Sequence, residues 1–243
     1  MDRNLSLLDR LRDIPFAFVD VETNGMSAAW GSRVIEIGVV RVESGKIVSQ
    51  YEQLIDSRRR ISPTITAMTG ITMAMCCGQP TFAQQLPKLI GLMQSAVVVG
   101  HNVRFDLSFL THEFDRAHQP ILDSVGRAVV VDTLRLARKR FGRGGNGLGK
   151  LAQRLGVEPT GEHRALADAL TTFHVFERLI ETIGGWDLTL VDLLMHQGNV
   201  MRVGSPPRAA RKPRRLQLAE ESRVLSGIGG RETERGLQSD FSS

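Results

Sequence analysis

The octapeptide FAFVDVET, residues 16–23, carries the decisive signal in this chain. Its apolar and β-branched residues read as a core strand, yet Asp20 and Glu22 interrupt it two positions apart. Side chains at i and i+2 of a strand share a face, with Cα atoms about 6.5–7 Å apart. Two carboxylates so placed repel each other and lose hydration unless cations neutralise them. A strand end, exposed or leading into a helix, explains the same pair, and at this level both readings stay open.

Working outward, VIEIGVVRV (34–42) is a second β-rich run, and Ser44-Gly45-Lys46 marks a hairpin turn into a third strand over 47–55. Three strands with short links predict an antiparallel meander. Beyond Ser62-Pro63 the pattern predicts a helix over 82–93, a buried strand in AVVVGH (96–101), a helix over 106–116, a strand in AVVVDT (128–133), and helices near 133–141, 147–155 and 164–182. Buried strands flanked by helices are the signature of βαβ units. The expected fold class is therefore α/β, with antiparallel strands first and parallel crossovers after.

The 243 residues, 42% apolar and 23% charged, suffice for one full domain and an appendage. The organisation expected is an N-terminal extension over 1–14, a domain over 15–183, and a C-terminal extension over 184–243 that starts helical and becomes a basic, mobile tail with a short helix near 216–226. The longest apolar run, Met73 to Cys77, is far short of a membrane span, and charges interrupt the apolar stretch at the N-terminus. A cytoplasmic protein with no membrane partner is the expectation. Cys76 and Cys77 are adjacent, which suits neither a loop-closing disulfide nor a metal-binding spacing.

The formal net charge is +5. Residues 200–243 hold nine basic and five acidic side chains, and residues 133–157 hold seven basic ones and no acid. Such local fields attract polyanions, nucleic acid above all, although charge runs are also ordinary solvated helix faces.

Two further segments place polar residues where strands give way to helices. In HNVRFDLSFL (101–110), His101 and Asp106 follow the strand AVVVG, at the kind of junction where α/β sheets put functional groups. In EHRALADA (162–169), His163 and Asp168 are five apart, about 140° around a helix, so they cannot project in one direction from a continuous helix. Each segment alone is explained by a loop histidine and an acid at a helix start. Glu36, within a strand, and Asp132, before Thr133 in N-cap position, read as structural.

Taken in order, VDVETNG (19–25), RVIEIGVVRVESGKI (33–47), TGIT (69–72), HNVRFDLSFL (101–110), VDTLRLAR (131–138) and HRALADA (163–169) resemble the DEDDh 3'-5' exonucleases. The similarity is greatest to the exonuclease of bacterial DNA polymerase III, as the epsilon proofreading subunit or as a domain within the polymerase, and it runs from about Phe16 to Ile183. The resemblance implies a ribonuclease H-like fold with a central mixed five-stranded sheet flanked by helices. It also implies four metal-binding carboxylates at Asp20, Glu22, Asp106 and Asp168, with His163 as general base. The terminal nucleotide is expected against Thr23, Gly25, Met26, His101 and Phe105, with Phe105 read as a core residue ahead of a base platform. Asn24 departs from the family, which usually has Thr there.

An all-oxygen donor set favours hard cations, so two Mg²⁺ or Mn²⁺ ions are the expected cofactors, with Asp20 bridging. The implied activity is hydrolysis of DNA from the 3' end to nucleoside 5'-monophosphates, in proofreading or repair. A 3'-5' exoribonuclease and a non-catalytic polymerase adaptor are the alternatives. The partners implied are DNA 3' ends, RNA in the first alternative, and a DNA polymerase catalytic subunit through residues 184–243.

Overall fold

The computed structural model describes residues 5–125, 128–161, 163–198 and 201–203. Among them the chain order is β1 (Phe16–Thr23), β2 (Val34–Glu43), β3 (Lys46–Leu54), α1 (Pro63–Thr69), α2 (Met73–Cys76), α3 (Phe82–Met93), β4 (Val97–Gly100), α4 (Arg104–Arg116), α5 (Ile121–Ser124), β5 (Val129–Asp132), α6 (Thr133–Phe141), α7 (Leu148–Arg154), α8 (Ala165–Glu181), α9 (Leu190–Gln197) and β6 (Met201–Arg202). The sheet runs β3-β2-β1-β4-β5-β6. The meander pairs antiparallel, while β4 lies parallel to β1 and β5 parallel to β4. The five expected strands are present. A sixth of two residues pairs antiparallel with β5, too short to leave a periodic signal in the sequence.

Alternation along β1 sorts the two faces of the sheet. Ala17, Val19 and Val21 join Leu86 and Leu89 of α3 and Phe109 of α4 in one core. Phe16 and Phe18 face the other way, into a core shared with Phe173 and Phe176 of α8, their rings 5.2–5.4 Å apart. Each buried ring contributes about 1.5–3 kcal/mol of transfer free energy. Asp20 and Glu22 continue the Phe16–Phe18 face, so the strip that is apolar beneath the body of α8 turns acidic beneath its first turn.

The segments flanking residues 15–183 share this core. Leu11 and Ile14 are buried in it, as are Leu190, Leu193 and Leu194 of α9. The Leu11 amide donates to the Leu188 carbonyl at 2.8 Å, and the Leu190 amide to that of Asp9 at 2.9 Å. Buried Gln197 accepts from the Asp132 amide at 2.6 Å and donates to the Val130 carbonyl, fastening α9 to β5. The C-terminal tail, with its expected helix near 216–226, lies outside the described residues. Cys76 and Cys77 are both free thiols. No helix among the described residues is long and apolar enough to cross a membrane.

Candidate active site

The site forms where α8 begins above the acidic end of β1. Asp20 pairs in register with Gly38 of β2, and Glu22 with Glu36. A Cβ on Gly38 would meet the Ala165 and Leu166 backbone at 2.3 Å, so glycine is what lets the first turn of α8 rest on the sheet. Glu36, fully buried, then receives that helix: its carboxylate accepts from the Ala165 amide at 2.9 Å and from Arg164 Nε and an Arg164 terminal guanidinium nitrogen at 2.6–3.1 Å. The acid fits a helix N-terminus for electrostatic reasons and supplies an acceptor that the first turn lacks. Asp168, three residues into α8, is thereby held over β1.

His163 precedes α8 in the left-handed region, with φ 58°, an uncommon conformation for a residue with a side chain. The divergence expected of His163 and Asp168 applies to a continuous helix, and the left-handed turn removes that condition. The His163 amide donates to the Asp168 carboxylate at 3.2 Å, and Thr160 ties the preceding loop to α8 through the Ala167 carbonyl at 2.9 Å. One ligand atom each from Glu22, His163 and Asp168 lies within 4.8 Å of the others.

Asp106 arrives from the opposite layer. Gly100 ends β4 against Val103 and the Val19 carbonyl, where a Cβ would sit 2.7 Å from the Val103 side chain, and the chain turns through Asn102 at φ 62° into α4. Buried Asp106 then accepts from the Val21 amide at 3.1 Å, on β1 between Asp20 and Glu22. Asp132 acts as the expected N-cap, accepting from the Leu134 amide, and the same oxygen accepts from the Asn102 amide, both at 3.0 Å.

This crowding of acids shifts their titration. Burial raises the Asp20 pKa well above the usual carboxylate range, reinforced by Asp106, Asp168, Glu22 and Glu36. Burial pushes Glu22 up to about 7, with Asp168 and Glu36 adding to the shift and Arg164 opposing it. It pushes Asp106 up to about 8 against the favourable Val21 amide. Carboxylates so placed store repulsion that a cation relieves. The carboxylate oxygens fit a hard divalent cation, with the exposed His163 imidazole beside them.

The residues expected to hold a nucleotide are more dispersed. The Thr23 hydroxyl donates to the Gly25 carbonyl at 2.7 Å, Gly25 packs on Ser32, and Met26 is 78% exposed. His101 Nδ1 lies 2.9 Å from the Thr133 hydroxyl, and burial pushes its pKa down to about 4. Phe105 is half-buried on the core with its ring 5.0 Å from Phe109. A cleft of about 890 Å³ opens beside His163 and Asp168 toward Gly145, Asn146 and Lys150. Part of the basic field serves the fold: Arg140 and Arg154 lie over the Phe141 ring at 5.6 and 5.1 Å.

Against known proteins, residues 17–176 match the RNase_T exonuclease family. The chain belongs to that exonuclease family. It is similar to the DNA polymerase III epsilon subunit of Aquifex aeolicus, 34% identical over 182 residues, covering 74% of this chain and 88% of the relative. It is also similar to the PolC-type DNA polymerase III of Thermotoga petrophila, 32% identical over 179 residues, of whose length the chain spans 13%. Exonuclease X in complex with 5'-overhanging duplex DNA shares 26% identity at a TM-score of 0.55, over 73% of this chain and 98% of that one. The ribonuclease H-like fold and the exonuclease family expected from the sequence therefore hold. Arg164 is the contributor to the candidate site that sequence reasoning missed. Its one signal is Glu36, a charge in a β-branched strand that needs a buried partner.

Proposed function

We propose that this exonuclease is of the DEDDh type and hydrolyses DNA from the 3' end to nucleoside 5'-monophosphates, proofreading for a DNA polymerase. The observation that carries the reading is the convergence of Glu22, His163 and Asp168 ligand atoms within 4.8 Å, beside half-buried Asp20 and buried Asp106, carboxyls that repel those of Glu22 and Asp168. In this reading Asp20, Glu22, Asp106 and Asp168 hold two divalent cations, Mg²⁺ or Mn²⁺. Such ions supply charge neutralisation at the phosphate and lower the pKa of water.

The chain's own groups account for the rest. The four carboxylates would hold those cations over the end of β1, where the reacting phosphodiester is attracted. His163, exposed and outside the helix, accepts the proton of the attacking water, a contribution typically worth about 10²–10⁴ in rate. Its left-handed backbone keeps the imidazole beside Asp168 while leaving it open to solvent. The turn from Thr23 to Met26 meets the terminal nucleotide, with Phe105 and His101 behind it. Similarity to an epsilon subunit and to PolC-type polymerases supports a polymerase partner, reached through residues 184–243.

The test is release of 5'-monophosphates from 3'-labelled single-stranded DNA and RNA in Mn²⁺, with Asp20→Ala beside the wild type. DNA cleavage lost on substitution is expected. Preferential cleavage of RNA moves the reading to an exoribonuclease, and cleavage that survives Asp20→Ala overturns the site.

A further inference from the structure

Asn24, where the sequence departs from the family, does not offer its side chain to a nucleotide. Its Oδ1 accepts from the Arg33 amide at 2.7 Å, and its Nδ2 donates to the Arg60 carbonyl at 3.1 Å. The second bond fastens the loop Arg58-Arg59-Arg60 to the turn that leaves β1, two residues beyond Glu22. Two strand residues span about 6.5–7 Å, so the arginine loop stands at the edge of the acidic site. Arg58 sits at φ 51° with its amide donating to the Asp56 carboxylate at 3.0 Å, which further fixes the loop.

All three arginines are exposed, and none of their guanidinium groups has an ion pair or hydrogen bond among the described residues. Unpaired guanidinium groups held together by a backbone tether raise the local positive potential at a site whose own carboxylates are negative. The same loop carries two exposed apolar side chains, Met26 at 78% and Trp30 at 92%, the latter on the 3₁₀ turn Ala28–Trp30. An exposed indole on the loop to which the unpaired arginines are tethered through Asn24 gives the combination that grips single strands, phosphates on the cations and bases on the ring.

We propose that Arg58, Arg59, Arg60 and Trp30 form a binding rim for the single-stranded DNA that leads into the site, with Asn24 as the residue that positions it. The proposal rests on the nuclease reading for its ligand, while its test does not need turnover. The arginines hold backbone phosphates of nucleotides other than the one being released, and the indole stacks on a base without regard to sequence.

The experiment is fluorescence anisotropy of a 5'-fluorescein-labelled oligothymidylate with the full chain in EDTA, across a salt series. A parallel assay follows p-nitrophenyl thymidine 5'-monophosphate, a one-nucleotide ester with no neighbouring phosphates, in Mn²⁺. Replacing Arg58, Arg59 and Arg60 together by Ala is expected to weaken oligonucleotide binding at least tenfold and to flatten the slope of log K against log salt by about 2, from three single-strand phosphate contacts at ~0.7 each. Replacing all three by Lys should keep the slope. Trp30→Ala should cost about fivefold or more in affinity and leave the slope unchanged. Ester hydrolysis stays at the wild-type rate in all of them. Unchanged affinity and slope in the triple Ala variant overturn the rim, as does an equal fall in oligonucleotide binding and ester hydrolysis. Arginine-dependent binding with no hydrolysis in the wild type keeps the rim and discards the nuclease reading.

Discussion

Gly38 of the second strand lies directly beneath the backbone of Ala165, with no room for a side chain between them. The sheet and the last long helix therefore meet backbone to backbone at the point where Asp168 is presented to Asp20. Gly38→Ala is expected to push the first turn of α8 away, destabilising the chain by about 1–3 kcal/mol as overpacking does. Nuclease activity should fall further than the fraction unfolded explains. Urea denaturation alongside turnover checks this, and a fully active, fully stable Gly38→Ala enzyme would contradict the packing argument.

Arg164→Ala leaves buried Glu36 with the Ala165 amide but without its guanidinium. Losing one partner of a buried pair typically costs about 3–5 kcal/mol, and a value nearer ~2 is expected here because the Arg164 side chain is 41% exposed and water can replace it. Arg164 also holds down the Glu22 pKa. The pH at which divalent cations begin to bind should accordingly move up in Arg164→Ala, which a Mn²⁺ titration at several pH values measures.

His163→Ala is expected to lower kcat by about 10²–10⁴ while leaving Mn²⁺ affinity near that of the wild type. Asp20→Ala should instead abolish both. Isothermal titration with Mn²⁺ separates the two, and equal losses of metal affinity would refute the division of labour.

Stability without metal should fall as pH rises. Glu22 and Asp106 titrate near 7 and 8 in the folded chain and near 4 when unfolded, so between those values the native state holds more protons than the unfolded one. Each unit of pH across this window then destabilises the metal-free protein. Added Mn²⁺, which needs the carboxylates ionised, should raise Tm more at pH 8 than at pH 6. Differential scanning calorimetry in EDTA and in Mn²⁺ reads both slopes; a Tm that climbs with pH in EDTA would sink the account.

Asp106→Asn is expected to stabilise the metal-free chain at pH 8, since an amide keeps the acceptor for Val21 and removes the buried charge. A gain of 1 kcal/mol corresponds to about 2–4 °C in Tm at this size. The same substitution should weaken Mn²⁺ binding, so stability and metal affinity move in opposite directions.

Much of this was readable in the sequence where the signal was local. Asp20 and Glu22 stood out because charges are costly in a strand of Phe and Val, and the order of strands followed from short links and β-branched runs. Asp132 announced itself as an N-cap by its place before Thr133. What escaped had its cause far along the chain. Arg164 and Glu36 are 128 residues apart, and each looks ordinary alone. Leu11, Ile14 and the apolar face of α9 lie outside the stretch of family resemblance, yet they complete its core. The left-handed turn at His163 has no compositional mark, since nothing but the backbone distinguishes it from a first helical turn.

The wide separation of the acidic residues along the chain bears on the order in which the protein is made. Asp20, Glu22 and Asp106 emerge early in synthesis and can already be brought together by β1, β4 and α4. Ala165, which seats α8 on Gly38 and Glu36, and Asp168 behind it emerge some sixty residues later. A chain that stops short of α8 and the turn before it lacks His163 and the fourth carboxylate, Asp168. In the proposed reading cutting power therefore waits on the segment from His163 to Asp168, and a copy cut short before it is expected to leave nucleic acid intact.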